Sequence, residues 1–179
     1  MNILVTGATG SVGRRLVDTL LDHGAHVVAL TRDPARAGLP PAVQVVAGDF
    51  ADPSTLDSAV FTGVDRAFVF PADGADAFVD AASRAGVERF TVLSSLAAAK
   101  EFPRDVGSAS QLHHSAIEDA VTSRTEQWTI LRPGTFASNL LSWAWPIKNG
   151  WPIRAPYLAS AQAPIHEADV ADAAAATLL

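Results

Sequence analysis

Three evenly spaced glycines follow the first apolar run of the chain and precede an amphipathic helix pattern. Residues 3–5 are apolar, and residues 6–13 contain Gly7, Gly10 and Gly13. In a strand–turn–helix unit, the first glycine permits a tight turn, the second lets an anion approach the backbone, and the third lets the helix pack closely on the sheet. The following helix directs free N–H groups and its positive dipole end to the same point. The segment therefore predicts a pyrophosphate-binding turn; the alternative is a turn without a ligand.

Short apolar runs alternate with longer amphipathic segments along the rest of the chain. This pattern predicts strands at residues 3–6, 27–31, 43–47, 66–70, 90–94 and 128–131, and helices at 12–23, 52–61, 75–85, 108–123 and 167–179. Such alternation is typical of an α/β doubly wound parallel sheet, the Rossmann fold, with strand order 3-2-1-4-5-6. We expect a single domain over residues 1–179, with a loop-rich substrate-side segment at 136–165. Because the last helix pattern runs to the final residue, we also expect a short or truncated C-terminal substrate portion.

Composition excludes several classes of function. The chain of 179 residues is 49% hydrophobic and 18% charged, as globular proteins are, and its net charge of -6 comes without a basic block for a nucleic acid backbone. The absence of cysteine excludes disulfides, thiolate catalysis and cysteine zinc sites, and no histidine spacing typical of a metal site occurs. With no signal peptide pattern and no apolar run long enough for a bilayer, we expect a cytoplasmic protein without membrane or direct nucleic-acid contacts.

Further motifs follow the later strands and lie on the long helix. They are Thr-Arg-Asp at 31–33, Gly-Asp-Phe at 48–50, Val-Leu-Ser-Ser at 92–95, His-Ser-Ala-Ile-Glu at 114–118, Trp-Thr-Ile-Leu-Arg-Pro-Gly-Thr-Phe at 128–136, Asn139, and His-Glu-Ala-Asp-Val-Ala at 166–171. Together with the glycine turn, they resemble the atypical short-chain dehydrogenase/reductase group, specifically the NmrA-like proteins, which include NAD(P)H:quinone oxidoreductases. The resemblance covers nearly the whole chain and implies a nicotinamide dinucleotide cofactor.

The residue after the second strand indicates which nicotinamide cofactor is favoured. An acidic residue there would select NAD(H) by accepting hydrogen bonds from the adenosine ribose, but this chain has Arg32. A guanidinium can bind a 2′-phosphate through paired charged hydrogen bonds, and Arg14 could add a second positive charge, whereas Arg36 is less well placed. We therefore expect NADP(H) to be favoured over NAD(H). The alternative is that Arg32 is solvated or pairs with Asp33.

The predicted cofactor site extends from the glycine turn along the carboxyl ends of the strands, where open α/β sheets bind ligands. Asp49 and Phe50 are expected to border the adenine, although core packing explains Phe50 nearly as well. A serine at the position of Ser94 is expected near the nicotinamide ribose, and the resemblance places residues 133–136 near the nicotinamide. The predicted cofactor-binding residues are Gly7, Ala8, Thr9, Gly10, Ser11, Val12, Gly13, Arg14, Arg32, Asp49, Phe50, Phe70, Pro71, Ala72, Ser94, Pro133, Thr135 and Phe136. On the substrate side we expect Asn139 and Trp143; the loop residues could equally be ordinary turn or core positions.

The long helix lacks the tyrosine that short-chain dehydrogenases use for catalysis. In that group, Tyr-x-x-x-Lys supplies a proton donor and a lysine that holds the ribose. Counting back from Glu118 places His114 in the lysine position and Ser110 in the tyrosine position, and the one tyrosine of the chain is Tyr157. His114 is therefore the candidate catalytic residue, able to hold the ribose or to relay a proton near neutral pH. The alternative is a helix-surface histidine, which is how we interpret His113.

Two functions fit these residues. The first is an NADPH-dependent oxidoreductase that reduces a quinone or a similar flat, apolar acceptor, since a quinone needs less proton donation than a ketone. Phe136, Trp143, Trp145 and Trp151 would line its acceptor site, or else cover the core or an interface. The second is a non-catalytic redox sensor that binds dinucleotide and then a protein partner, as some NmrA-like proteins do. Either function is compatible with a homo-oligomer. The absent tyrosine argues against a third function, sugar-nucleotide epimerisation.

Overall fold

A six-stranded parallel sheet forms the centre of the protein. The computed structural model describes residues 1–154 and 161–179. The strands are β1 (Asn2–Val5), β2 (His26–Thr31), β3 (Gln44–Ala47), β4 (Arg66–Val69), β5 (Arg89–Leu93) and β6 (Trp128–Leu131). They lie in the order β3-β2-β1-β4-β5-β6, and every neighbouring pair is parallel. The predicted fold class and strand order are therefore confirmed.

The described residues form five α-helices, of which four cover the sheet. They are α1 (Ser11–Asp22), α2 (Ala75–Arg84), α3 (Ala109–Thr122), α4 (Ala144–Lys148) and α5 (Glu167–Leu178). Helices α1 and α5 pack together on one face of the sheet, and α2 and α3 pack on the other. Within residues 1–154 and 161–179, no helix has the length and apolar character needed to cross a membrane.

The core lies on both faces of the sheet, because successive side chains of a strand point in opposite directions. In β1, Ile3 and Val5 pack on the side of α1 and α5, while Leu4 packs on the side of α2 and α3. All three side chains are fully buried. With both faces covered, the carboxyl edge of the sheet is the place for a ligand, at the point between β1 and β4 where the strand order reverses.

The helix predicted at residues 52–61 is wrong. That segment forms a short 3-10 helix, Pro53–Thr55, followed by turns. The Oδ1 atoms of Asp52 and Asp57 each accept a hydrogen bond from the backbone N–H two residues further on, at 3.1 and 2.9 Å. Side-chain bonds of this kind offer the backbone an alternative to a helix. The segment still contributes Leu56 and Phe61 to the core without being helical.

The chain after β6 becomes irregular. A 3-10 helix, Ala137–Trp143, leads directly into α4. The backbone N–H of Ala137 donates to the carbonyl of Ile165 at 2.8 Å, and Phe136 pairs with Ile165 in an isolated bridge. These contacts join the start of the irregular segment to the residues just before α5. Tyr157 lies outside the described residues.

Candidate functional site

The turn between β1 and α1 depends on the conformational freedom of Gly7. Its φ of +61° lies in the left-handed region that other residues rarely adopt, and a Cβ atom there would lie 2.9 Å from Cβ of Phe70. Thr6 fixes the turn against β4, because its hydroxyl donates to the carbonyl of Phe68 at 2.9 Å and accepts from the N–H of Phe70 at 2.7 Å. The turn and the residue after β4 are thus held side by side.

The other two glycines bring the turn and α1 into close contact. A Cβ atom on Gly13 would lie 2.2 Å from the carbonyl oxygen of Gly7, and one on Gly10 would lie 3.2 Å from the same oxygen. The close helix approach expected of the third glycine is therefore present. Ala8 and Val12, which belong to the predicted cofactor set, are buried in the core beneath the turn.

The N-terminus of α1 is suited to an anion. Its N-cap residue is Gly10, which makes no side-chain capping hydrogen bond, and the first turn contains no acidic residue. Helix geometry leaves the first backbone N–H groups without intrahelical acceptors, and the dipole gives this end a partial positive charge. An uncapped terminus of a 12-residue helix fits the pyrophosphate of a dinucleotide.

A cleft of about 440 Å³ lies beside the glycine turn, at the carboxyl ends of β1, β2 and β3. It is lined by eight of the predicted cofactor-binding residues: Gly7, Thr9, Gly10, Arg32, Asp49, Phe50, Phe70 and Ala72. Thr6, Thr31 and Asp73 line it as well and were not selected from the sequence. The cleft has the position that the adenosine half of a dinucleotide takes in this fold.

Arg32 lies on the wall of this cleft directly after β2, and its side chain is exposed. The acidic residue next to it, Asp33, forms an ion pair with Arg36, three residues further along the chain, with 3.9 Å between Oδ2 of Asp33 and Nε of Arg36. Among the described residues, no ion pair involves Arg32. The pairing of Arg32 with Asp33 that the sequence left open is therefore not formed, and the guanidinium faces solvent at the cleft.

Arg14 has a different set of partners from those the sequence suggested. Its guanidinium donates to the carbonyls of Ala37 at 2.7 Å, Gly38 at 2.8 Å and Thr9 at 3.1 Å. These bonds tie the loop after β2 to α1. Arg14 lines a second cavity of about 740 Å³, where Ser11 also lies, rather than the cleft that contains Arg32. The structure thus shows Arg14 supporting the loop instead of standing beside Arg32.

Asp49 and Phe50 form the wall of the cleft after β3. The carboxylate of Asp49 accepts a hydrogen bond from the N–H of Ala51 at 3.0 Å, which holds it within its own loop. Phe50 is half-buried, and its ring stacks on that of Phe78 with 4.9 Å between centroids. Phe50 therefore both lines the cleft and packs on the core.

The loop after β4 crosses between the cleft and α3. Phe70 and Ala72 line the cleft, whereas Pro71, which lies between them, does not. Oδ1 of Asp73 lies 3.6 Å from Nδ1 of His113 on α3, and the side chain of His113 is 36% exposed. His113 is therefore a partly exposed residue of the helix surface that lies near the Asp73 carboxylate.

A buried carboxylate lies at the carboxyl ends of β5 and β6. Oε1 of Glu118, on α3, accepts hydrogen bonds from the Ser94 hydroxyl and from Nε of Arg132, the latter at 2.8 Å. Its Oε2 accepts a second bond from the Arg132 guanidinium at 2.5 Å. Ser94 and Glu118 are buried, whereas the Arg132 side chain is 40% exposed. The hydroxyl of Ser94 is therefore directed at Glu118.

A family model described as NAD(P)H-binding matches residues 7–179. The chain belongs to this NAD(P)H-binding family. The match confirms the resemblance to NmrA-like atypical short-chain dehydrogenases/reductases, and it confirms the prediction of a nicotinamide dinucleotide cofactor.

Two relatives of this NAD(P)H-binding chain have reductase names. A (4-alkanoyl-5-oxo-2,5-dihydrofuran-3-yl)methyl phosphate reductase from Streptomyces griseus is 38% identical over 181 residues, which cover 98% of this chain and 62% of the relative. An NAD(P)H azoreductase from Xenophilus azovorans is 34% identical over 154 residues, which cover 82% of this chain and 52% of the relative. The chain therefore spans between half and two thirds of the length of these relatives.

The fold is shared with a solved structure of a dinucleotide-bound enzyme. The Bordetella bronchiseptica enzyme WbmH, in complex with NAD+, superposes with a TM-score of 0.80 over 99% of this chain and 72% of that one. The sequence identity is 18%, so this likeness concerns the fold.

Ser110 and His114, which the sequence predicts at the positions of the usual tyrosine and lysine, lie one turn apart on α3. Ser110 is exposed, whereas His114 is half-buried. Nδ1 of His114 is buried and has no hydrogen-bond partner among the described residues. Burial and the neighbouring His113 hold the pKa of His114 below its ordinary value, although Glu118 one turn away opposes the shift. The imidazole is therefore a neutral hydrogen-bonding group near neutral pH.

Glu118 and Arg132 form an ion pair beside the candidate site and are absent from the predicted site residues. Burial raises the pKa of Glu118, but the hydrogen bonds from Arg132 and Ser94 outweigh that effect and hold the pKa below its ordinary value. A signal was present in the sequence, since Glu118 interrupts the buried face of α3 formed by Ile117 and Val121. A charged residue on a buried helix face requires a partner, and Arg132 directly follows β6.

The predicted residues after β6 fall into two groups. The backbone carbonyls of Pro133 and Thr135 accept hydrogen bonds from Leu96 and Ile165, both at 2.9 Å, and Phe136 packs against the core. The substrate-side candidates are more open, since Asn139 is exposed and Trp143 is 41% exposed. Trp143 lines a third cavity of about 600 Å³ that it shares with Trp151.

His166 lines the same cavity as Thr9 and Gly10 of the glycine turn. His166 is the N-cap residue of α5, and its Nδ1 accepts a hydrogen bond from the N–H of Ala168 at 3.0 Å. Among the described residues, no group of three or more His, Asp or Glu side chains could hold a metal ion.

Proposed function

We propose that the chain is the cofactor-binding part of an NADPH-dependent reductase that delivers hydride to a flat, electrophilic acceptor such as a quinone. The observation that carries this proposal is that α3 presents an exposed Ser110 and a half-buried His114 where a tyrosine and a lysine are expected. A ketone needs a proton at its developing alkoxide, and an exposed serine hydroxyl is too weak an acid to supply it. A quinone forms a stabilised phenolate, which can accept a hydrogen bond from neutral His114 and take its proton from water.

The position of Arg32, in the cleft directly after β2, supports a preference for NADPH over NADH. Arg32 is exposed on the cleft wall and is free of ion pairs with the described residues, so it can bind the 2′-phosphate without breaking an existing bond. The acidic residue next to it, Asp33, is paired with Arg36. Because Arg14 already donates to three carbonyls, we assign the 2′-phosphate to Arg32 alone.

Different residues of the chain bind the cofactor and assist hydride transfer. The N-terminus of α1 binds the pyrophosphate, and the cleft after β2 and β3 holds the adenosine half. When bound, the cofactor supplies the hydride. His114 remains neutral near pH 7, so it acts on the ribose or the acceptor through hydrogen bonds rather than as the positive charge a lysine provides.

An apolar acceptor is supported by the surface after β6. Trp145 and Trp151 are 60% and 58% exposed, and their rings meet edge to face with 4.7 Å between centroids. Exposed aromatic surface of this kind suits a flat, apolar ligand. The names of the two relatives describe reductases of an azo group and of an acyl-substituted dihydrofuranone, which are conjugated acceptors.

The test is NADPH oxidation by the chain with a panel of quinones, an azo compound and a simple ketone, with NADPH binding measured in parallel. We expect oxidation with the conjugated acceptors and a rate near background with the ketone. Ketone reduction at a rate comparable to quinone reduction would contradict the proposal. Binding of NADPH without oxidation by any acceptor would favour the second candidate, a redox sensor, which the same lack of a catalytic tyrosine supports.

A further inference from the structure

The nicotinamide half of a bound cofactor has to lie over the carboxyl ends of β4, β5 and β6. The pyrophosphate site is the N-terminus of α1, and the cleft after β2 and β3 takes the adenosine half. A dinucleotide crosses this fold at the point of strand reversal, so its other half extends in the opposite direction along the sheet edge. The contacts that fix the carboxyl ends of β4, β5 and β6 therefore affect cofactor binding.

Backbone bonds continue between β5 and β6 beyond the strands themselves. The N–H of Ser94 donates to the carbonyl of Leu131 at 2.7 Å, and the N–H of Leu96 donates to the carbonyl of Pro133 at 2.9 Å. The next residue is loosely packed, since a Cβ atom on Gly134 would meet nothing closer than a Leu96 methyl group at 3.9 Å. Side-chain packing at Gly134 therefore does little to fix this loop.

Glu118 connects the two strand ends to α3. Its carboxylate accepts one hydrogen bond from Ser94, after β5, and two from Arg132, after β6. A bidentate guanidinium–carboxylate pair fixes direction as well as distance, because both groups are planar. Glu118 thus determines where Arg132 lies, and with it the backbone that continues into Pro133.

We propose that Glu118 is a positioning residue that, through Ser94 and Arg132, holds the surface that receives the nicotinamide half of the cofactor. This role rests on the proposed function. Glu118 itself is buried behind the strand ends and acts through the two residues that it binds. Its removal should therefore weaken contacts to the nicotinamide half and leave the adenosine cleft unchanged.

A second ion-pair cluster in the same protein provides a matched control. Asp80 on α2 lies 2.9 Å from both Arg84 and Arg124, and Arg124 follows α3. This cluster also joins α3 to a neighbouring element, but it involves none of the residues that line the cleft. Asp80→Asn therefore tests what the loss of an ion pair between α2 and the end of α3 does in general.

The experiment is a calorimetric titration of wild type, Glu118→Gln and Asp80→Asn with NADPH and, separately, with adenosine 2′,5′-bisphosphate. The second ligand carries the adenosine half alone. For Glu118→Gln we expect the Kd for NADPH to rise about tenfold, while the Kd for adenosine 2′,5′-bisphosphate stays within about twofold of wild type. Asp80→Asn should change neither. Should Glu118→Gln not fold, Ser94→Ala keeps the ion pair and should weaken NADPH binding in the same selective way.

Two results would overturn the positioning role. Unchanged NADPH affinity in a folded Glu118→Gln variant would show that the network only stabilises the fold. Equal weakening of both ligands would show a general disturbance of the domain. Wild-type binding of both ligands with no acceptor reduced would refute the reductase proposal while leaving the positioning role intact, so the two failures are distinguishable.

Discussion

Replacing Gly13 with alanine should push α1 away from the turn that it packs on. The new Cβ atom would lie 2.2 Å from the carbonyl oxygen of Gly7 and 2.8 Å from Cα of Ala8, which are backbone atoms that cannot rotate away. Because ordinary contact begins near 3.4 Å, the helix has to move by about 1 Å. Overpacking of this kind costs about 1–3 kcal/mol, and the better helix propensity of alanine offsets about 1 kcal/mol. The net loss of stability should be about 0–2 kcal/mol.

The effect of Gly13→Ala on cofactor binding should be much larger than its effect on stability. A displacement of about 1 Å moves every N–H group at the helix terminus away from the pyrophosphate, and such a misplacement can cost about 100-fold. Thermal denaturation should show a fall in Tm of no more than about 8 °C, while calorimetry should show NADPH binding weakened by about two orders of magnitude.

Gly134→Ala is the matched control for the stability measurement. At that position the new Cβ atom would make only an ordinary contact, 3.9 Å from Leu96. The Tm should therefore stay at the wild-type value. If folded Gly13→Ala binds NADPH with wild-type affinity, the glycine turn and α1 do not together hold the pyrophosphate.

Four further outcomes follow from the same site. Arg32→Ala should remove most of the preference for NADPH over NADH, a loss of about 1.5–3 kcal/mol of charged hydrogen bonding; an unchanged preference in paired titrations would contradict the assignment. Gly10→Val should abolish dinucleotide binding in a folded protein, because the new Cβ atom would lie 3.2 Å from the Gly7 oxygen and the valine methyl groups would enter the pyrophosphate space. Normal binding by calorimetry would show that the glycine turn is not part of the cofactor site. His114→Ala should slow quinone reduction by about tenfold; unchanged turnover and affinity would make His114 an ordinary helix residue. The lowered pKa of Glu118 means that its contribution to stability is present above the ordinary glutamate pKa and is lost as the pH falls through the lowered value. As the pH falls through that range, the free energy of unfolding of Glu118→Gln should therefore decrease less than that of the wild type. An equal decrease in both proteins would contradict the lowered pKa of Glu118.

The strands and the glycine turn could be predicted because their signals are local. The apolar run at residues 3–5, the glycines after it and the helix pattern that follows are neighbours in sequence, so the strand–turn–helix unit could be read directly. The helix predicted at 52–61 failed for an equally local reason. Asp52 and Asp57 bond to the backbone two residues further on, and this competition is not visible in hydrophobic periodicity.

The sequence indicated that buried Glu118 needs a partner but did not specify which residue that partner is, because the polar contacts of the site join residues that are distant in sequence. Glu118 and Arg132 are 14 residues apart, and only the order of β5, β6 and α3 brings them together. The same holds for Arg14, whose position after the glycine turn suggested a phosphate ligand. Two of its three carbonyl partners lie 23 and 24 residues away, in a loop whose path the sequence does not specify.

We propose that the glycine turn and Arg32 together bind NADPH on this chain. The most direct measurement is a calorimetric titration of the wild-type protein with NADPH and with NADH under identical conditions. We predict one NADPH bound per chain, with an affinity at least about tenfold higher than that for NADH, since Arg32 adds charged hydrogen bonds to the 2′-phosphate. Equal affinities would contradict the role of Arg32, and the absence of binding by either cofactor would contradict the assignment of the glycine turn as a dinucleotide site.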